Sequence, residues 1–202
     1  MSEWKGKVGV LIEEHFDPTE FIRFNEYFPQ KGYQVEYISH LWGQPALSFG
    51  SNPENDQIGA HLTVTVEIND KDPADYKGIL LIGGYAMDRM RYQSTVTKGQ
   101  KNNSPAVCFL RKAMAAKVPV GTICHSLWLF CADPDLIRGR KVTCAHNIVC
   151  DVENAGGEVV YEGQETVEIV VDGNLISGKH PGMVDTFMEV FVKEIERKET
   201  YR

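Results

Sequence analysis

Short apolar runs alternate with amphipathic segments along the whole chain. Near-continuous apolar runs, typical of buried strands, occupy residues 7–12, 34–39, 76–82 and 118–123. Apolar residues at helical spacing occupy residues 19–31, 105–117, 149–155 and 184–197. Buried strands separated by helices of this length predict an α/β fold in which helices cover both faces of a mostly parallel sheet.

The remaining stretches predict loops and smaller elements. Residues 40–60 are rich in turn-forming residues and predict a long surface excursion, and the polar stretch 94–103 predicts a mobile loop. Alternating patterns predict a half-exposed strand at 62–67, a strand at 141–144, and a hairpin in which strands 165–171 and 174–177 flank a type I′ turn at Asp172-Gly173.

Composition and charge narrow the class of protein. The 202 residues are 43% hydrophobic and 24% charged, which fits one globular domain over 1–202 with an ordered core of about 6–197. The net charge of −7 argues against nucleic acid or an anionic membrane as a partner. The chain lacks a signal-peptide pattern and any run of ~18 apolar residues, and its cysteines show no disulfide spacing. We therefore expect a cytoplasmic protein with free thiols that does not enter a membrane.

Cys124 lies where an apolar run stops and a helical pattern starts. This placement predicts a nucleophile elbow, with the thiol on a sharp turn at the carboxyl end of a strand. We expect the helix opening after the turn to favour the thiolate through its dipole. An inert buried cysteine fits the sequence around Cys124 equally well, because cysteine is also a common core residue.

Two other segments are predicted to reach the same edge of the sheet, where α/β proteins bind ligands. Gly83-Gly84-Tyr85 follows the strand at 76–82 and could supply N–H donors for an oxyanion together with the N–H of His125, although a tight turn alone also explains the glycines. Glu13 and Glu14 follow the first strand, and Glu20 lies one turn into the first helix, from which it could lean towards Cys124.

Several ordered motifs resemble the ThiJ/PfpI group of the class I glutamine-amidotransferase-like superfamily. They are Ile123-Cys124-His125, Gly83-Gly84-Tyr85-Ala86 with Arg89 and Arg91, Leu136-Ile137-Arg138-Gly139-Arg140, Asn154-Ala155-Gly156-Gly157-Glu158, Val171-Asp172-Gly173-Asn174 and Ser177-Gly178-Lys179-His180-Pro181. The resemblance covers nearly the whole chain. It implies a three-layer sandwich with a flavodoxin-like sheet and a reactive elbow cysteine.

The resemblance also implies roles for residues around Cys124. It places Glu20, rather than Glu13 or Glu14, at the position of a carboxyl that hydrogen-bonds the sulfur, and such a carboxyl would be partly protonated. In hexameric members the residue matching His125 is the base of a triad completed by a neighbouring subunit. Ser126 replaces the glycine that usually follows Cys-His.

Three histidines are candidates for a role at the site. Because His125 follows Cys124 directly, we expect the two side chains to diverge, so that the backbone N–H of His125 could be its only contribution. His146 follows the predicted strand 141–144 and is a candidate general acid or base, and His180 is a weaker candidate. Cys144, His146 and Cys150 fit no zinc spacing, so no metal and no cofactor are expected.

These observations predict a catalytic set and a binding set. The catalytic set is Cys124, Glu20, His125 and His146, and the oxyanion- and substrate-binding set is Gly83, Gly84, Tyr85, His125, Ser126 and His180. The predicted function is a cysteine-dependent hydrolase of C–N or carbonyl groups in small molecules or peptides. The alternatives are a glyoxalase or deglycase acting on 2-oxoaldehydes, and a redox-sensing or stress-response protein with an oxidisable Cys124.

Large apolar residues also bear on the oligomeric state. We expect one domain to leave four large apolar residues exposed, namely Trp42, Tyr92, Leu127 and Trp128. Members of the resembled family form dimers or hexamers. We expect a homodimer, with a hexamer as the alternative if His125 acts with a neighbour's carboxylate.

Overall fold

The computed structural model describes residues 3–55 and 59–200. The strands are β1 (Gly6–Leu11), β2 (Tyr33–Ile38), β3 (Leu47–Gly50), β4 (His61–Val64), β5 (Gly78–Leu81), β6 (Val120–Ile123), β7 (Lys141–Val142), β8 (Glu158–Val159), β9 (Tyr161–Glu162), β10 (Glu165–Thr166), β11 (Ile169–Asp172) and β12 (Leu175–Gly178). The α-helices are α1 (Pro18–Gln30), α2 (Ala86–Met90), α3 (Pro105–Ala115), α4 (Trp128–Cys131), α5 (Val149–Asn154) and α6 (Val184–Thr200).

Six strands form the central sheet in the order β11-β12-β6-β5-β1-β2. All neighbours pair in parallel except β11, which is antiparallel to β12. In the middle of the sheet, Val10 pairs with Leu80 and Leu80 pairs with Gly121. The carboxyl ends of β1, β5 and β6 therefore meet at one edge.

Helices cover both faces of this sheet. On one face α1 packs against α6, where the rings of Phe28 and Phe191 meet edge to face with centroids 6.1 Å apart. On the other face α2, α3 and α4 pack against one another. Every residue of β5 and β6 is buried, as expected for central strands covered on both sides. The predicted α/β sandwich with a mostly parallel sheet is confirmed.

The excursion predicted at 40–60 contains a strand that the sequence pattern missed. β3 pairs with β4 as an antiparallel hairpin outside the central sheet, with Phe49 opposite Leu62. This hairpin contains part of the strand predicted at 62–67. Residues 56–58 of the excursion, and residues 1, 2, 201 and 202 of the predicted domain, lie outside the described residues.

Two predicted strand features are wrong in detail. The hairpin turn lies one residue later than predicted, because Asp172 pairs with Leu175 and leaves Gly173 and Asn174 as the loop. Gly173 alone of these two has a positive φ, of 62°, whereas a type I′ turn needs it at both positions. The strand predicted at 141–144 is only β7, which pairs with β8 outside the central sheet.

The aromatic residues behind the assembly prediction divide into two groups. Trp42 and Tyr92 are exposed, and their ring centroids lie 5.8 Å apart. Leu127 is buried, and Trp128 packs against the core and donates its indole N–H to Asp151 at 2.9 Å. The expectation that Leu127 is exposed is therefore wrong. The homodimer stays a prediction.

Among the described residues, no helix combines the length and the apolar character that crossing a membrane requires.

Candidate active site

Cys124 follows the last residue of β6 directly and lies on a strained turn. Its φ is +60°, in the left-handed region that β-carbon contacts disfavour, and its side chain is 6% exposed. A non-glycine residue in this conformation often marks a functional site. The predicted nucleophile elbow therefore has its expected backbone geometry.

The electrostatics at the sulfur differ from the prediction. The next helix, α4, begins only at Trp128 and has four residues, so no helix opens directly beside the thiol. Burial raises the pKa of Cys124, and the negative charges of Glu20 and Asp17 raise it further. The backbone N–H groups of Gly84 and His125 point at the sulfur and lower the pKa by less. The expected preference for thiolate in the free protein is wrong.

His125 lies beside the thiol instead of pointing away from it. Its Nδ1 is 2.9 Å from Sγ of Cys124. The left-handed backbone at Cys124 turns the chain between the two residues, which brings adjacent side chains together. Burial lowers the pKa of His125, while the neighbouring Asn147 and Asp17 raise it by less. A neutral imidazole is therefore favoured, and it can accept the thiol proton at Nδ1.

Glu20 approaches the cysteine from the protein interior. It is fully buried, and its Oε2 accepts the backbone N–H of Gly83 at 2.6 Å. Its Oε1 has no hydrogen-bond partner among the described residues. Burial raises the pKa of Glu20 well above 4.5, and the charge of Asp17 adds to this shift. The raised pKa favours the protonated carboxyl, which repels a thiolate less than a carboxylate does.

The hydrogen bond expected between Glu20 and the sulfur does not form within the described residues. Both residues approach Gly83 closely, since a β-carbon built on this glycine would lie 2.5 Å from Oε1 of Glu20 and 2.9 Å from Cβ of Cys124. The carboxyl instead binds the N–H of Gly83. Glu13 pairs with Arg89, and Glu14 accepts the N–H of Gly50, so neither replaces it.

Asp17 lines the cavity over Cys124 but does not belong to either predicted set. It does cap α1, accepting the N–H of Glu20 at 3.0 Å. Burial raises the pKa of Asp17. The charges of His180 and His125, which lie nearby, lower it by less. A buried N-cap aspartate has an ordinary structural role, so the sequence contained no signal for its second position.

A cavity of about 660 Å³ opens above the thiol. Five residues of the predicted sets line it, namely Gly84, Cys124, His125, His146 and His180. The other lining residues are Asp17, Thr19, Asn52, Glu54, Ala145, Asn147, Pro181 and Gly182. Asn52 and Glu54 come from the turn-rich excursion, where the sequence pattern indicated surface loop and nothing more.

Four predicted residues lie behind or beside the cavity wall. Glu20 and Gly83 support Cys124 from behind. Tyr85 stacks near His125, with ring centroids 5.9 Å apart. Ser126 is fully buried, and its hydroxyl accepts the N–H of Ile123 at 2.7 Å and donates to the carbonyl of the same residue at 2.9 Å. Its hydroxyl is thus used by the turn, and Ser126 is not among the residues that line the cavity.

The remaining predicted histidines lie in the cavity wall. His146 is close enough to His125 to lower its pKa by charge repulsion. His180 accepts the N–H of Gly182 at Nδ1, 3.1 Å away, which fixes its ring. Within residues 3–55 and 59–200, no group of three or more His, Cys, Asp or Glu side chains could hold a metal ion. The thiol and the three imidazole rings that line the cavity are groups suited to nucleophilic and acid–base chemistry.

This chain is similar to known proteins along nearly its whole length. The model of the DJ-1/PfpI family matches residues 6–194. An uncharacterized protein of Staphylococcus epidermidis is 28% identical over 193 residues, covering 94% of this chain and 98% of that protein. An uncharacterized protein of Staphylococcus aureus is 27% identical over the same length, with the same shares covered.

Solved structures show the same fold. A two-domain protein of Anabaena variabilis, with DJ-1/ThiJ/PfpI-like and ferritin-like domains, has a TM-score of 0.78 and 24% identity, covering 95% of this chain and 48% of its own. A ThiJ/PfpI domain protein of Brachyspira murdochii has a TM-score of 0.76 and 13% identity, with 97% and 99% covered. Drosophila melanogaster DJ-1beta has a TM-score of 0.70 and 18% identity, with 98% and 90% covered.

Proposed function

This chain belongs to the DJ-1/PfpI family, and we propose that it is a cysteine-dependent enzyme that hydrolyses C–N bonds in small molecules or peptides. The observation behind the proposal is the 2.9 Å contact between Sγ of Cys124 and Nδ1 of His125 at the floor of an open cavity. A nucleophile in hydrogen-bond reach of a base is the arrangement that covalent catalysis needs.

The first half of the reaction forms an acyl-enzyme. Sγ of Cys124 attacks the carbonyl carbon of the substrate while the thiol proton moves to Nδ1 of His125. The oxyanion forms beside the N–H groups of Gly84 and His125, which already point at the sulfur. When the C–N bond breaks, the leaving amine takes the proton from His125 and a thioester remains.

Water completes the cycle. His125 takes a proton from water, the hydroxide attacks the thioester, and the C–S bond breaks to release the carboxylic acid. The proton then returns to the sulfur. His146, in the wall beside His125, could assist the transfer to the leaving group. In this scheme the protonated Glu20 positions Gly83 and adds no negative charge next to the developing thiolate.

The alternatives predict different products from the same thiol. A 2-oxoaldehyde would form a thiohemiacetal at Cys124 and rearrange to a hydroxy acid. A redox sensor would instead take up oxygen at the sulfur. Sensor cysteines are usually exposed and of low pKa, whereas burial raises the pKa of Cys124, and this weighs against sensing.

A substrate panel separates these functions. Fluorogenic amides and 2-oxoaldehydes would be tested with wild type, Cys124→Ala and the exposed control Cys150→Ala. We expect amide turnover by wild type and Cys150→Ala and none by Cys124→Ala. Turnover of 2-oxoaldehydes alone would replace the hydrolase with a glyoxalase. No turnover, together with clean addition of two oxygens to Cys124 in mild peroxide, would replace it with a sensor.

A further inference from the structure

The charges around the cavity are unevenly distributed. Among the described residues, no lysine or arginine side chain lines it. Its walls contain the carboxyls of Asp17 and Glu54 and the rings of His125, His146 and His180. The described lining therefore has two carboxyls and neither of the side chains that are cationic at neutral pH by default. A substrate that bears a carboxylate meets no lysine or arginine in this cavity.

Glu54 supplies the exposed part of this negative charge. Both of its carboxylate oxygens lie 3.4 Å from the hydroxyl of Tyr85, which is long for an O–H···O bond and leaves the carboxylate available. Its charge raises the pKa of Tyr85, the largest effect on that group. Asp17 is buried, and burial raises its pKa, so it contributes less charge at the surface of the cavity.

The position of Glu54 is tied to the floor of the site. Its backbone N–H donates to Oδ1 of Asn52 at 3.1 Å. The backbone N–H of Asn52 donates in turn to the carbonyl of Phe16 at 2.8 Å, and Phe16 forms a bridge with Gly84. Glu54 is therefore connected by three contacts to the loop that points an N–H at Cys124.

We propose that Glu54 makes this site selective for substrates with a positively charged group, such as an alkylammonium, near the reacting carbonyl. Carboxylate-bearing substrates of the same size are disfavoured. The proposal rests on the proposed function, because that function supplies the substrate. The selectivity itself is a property of the route to Cys124 and can be measured without turnover.

Two methanethiosulfonates of similar size and opposite charge provide the measurement. One carries a trimethylammonioethyl group and the other a sulfonatoethyl group. In both, the thiolate of Cys124 attacks the sulfenyl sulfur, a mixed disulfide forms, and methanesulfinate leaves. Rates at Cys124 would be followed at pH 8 by peptide mass mapping, with the exposed Cys150 of the same molecules as the internal reference.

Relative to Cys150, we expect Cys124 of the wild type to react about tenfold faster with the cationic reagent than with the anionic one. Glu54→Gln should bring that ratio close to one. Glu162→Gln, an exposed glutamate away from the cavity, should leave the ratio unchanged. High salt should reduce the wild-type ratio.

Equal rates in the wild type, or a ratio that Glu54→Gln does not change, would overturn the proposal. Failure of both reagents to reach Cys124 would overturn it as well, because a substrate must reach the same sulfur. The wild type could show a tenfold ratio that Glu54→Gln abolishes and yet hydrolyse no amide. That outcome would support the selectivity and contradict only the proposed hydrolase function. Among amides that are hydrolysed, lysyl substrates should exceed glutamyl substrates in kcat/KM.

Discussion

Sγ of Cys124 lies 2.9 Å from Nδ1 of His125, although the two residues are neighbours in the chain. Adjacent side chains usually point apart, and here the left-handed φ of +60° at Cys124 brings them together. The strained turn therefore gives the thiol a proton acceptor within one subunit. In the proposed reaction, His125 takes the thiol proton within one subunit.

The reactivity of Cys124 should depend steeply on pH. Because burial raises its pKa, the thiolate fraction stays small at neutral pH and grows about tenfold per pH unit. We expect the rate of alkylation by iodoacetamide to rise through pH 9.5, whereas a free cysteine levels off near its ordinary pKa of about 8.5. Mass mapping of Cys124 against added free cysteine measures this. A rate that levels off below pH 8 would contradict the expected shift.

Glu20→Gln should change how stability depends on pH. The folded protein keeps the Glu20 proton up to a raised pKa, whereas the unfolded chain releases it near 4.5. Between these values the folded state binds more protons, so the free energy of unfolding falls as pH rises, by up to about 1.4 kcal/mol per pH unit. The contribution is complete below the ordinary pKa and is lost as pH rises through the folded one.

Urea unfolding from pH 5 to 8 tests this. Glutamine keeps an oxygen for the N–H of Gly83 but does not titrate, so the decline should flatten in Glu20→Gln. Asp17, whose pKa burial also raises, would account for a remaining slope. The exposed control Glu162→Gln should follow the wild type. Parallel curves for wild type and Glu20→Gln would show that Glu20 is ionised in the folded state.

Gly83→Ala should damage both stability and the site. The added β-carbon would lie 2.5 Å from Oε1 of Glu20 and 2.9 Å from Cβ of Cys124, so one of them must move. We expect a loss of about 2 kcal/mol in the free energy of unfolding and slower alkylation of Cys124. Combining it with Glu20→Ala should cost less than the sum of the two single changes. Strict additivity would mean that the clash is relieved elsewhere.

Ser126→Ala should affect stability and leave substrate binding alone. The buried hydroxyl bonds both the N–H and the carbonyl of Ile123, so its removal should cost about 1–2 kcal/mol. Ser48→Ala, which removes an exposed hydroxyl bonded to Thr63, should cost less. KM should stay at the wild-type value in Ser126→Ala. A raised KM with unchanged stability would restore Ser126 to the substrate-binding set.

The sequence by itself determined the architecture and the position of Cys124 on a turn at the end of a strand. Periodicity reports burial directly, so the buried strands and the covering helices could be assigned from apolar spacing. The break between an apolar run and a helical pattern identified the turn at Cys124, because a strand that ends at the binding edge must reverse there. Short elements could not be predicted from the sequence pattern. The strand β3 is an example, because pairing with β4, and not the local pattern, decides its conformation.

Only the tertiary structure decided the electrostatics and the partners of the site. The pKa shifts of Cys124 and Glu20 arise from burial and from charges that folding brings together, which no local pattern encodes. Ser126 belongs to the predicted binding set but is buried behind the turn, whereas Asp17, which belongs to no predicted set, lines the cavity. Glu54 lines the cavity because hydrogen bonds hold its loop there. The position of such a loop depends on contacts with residues distant in sequence.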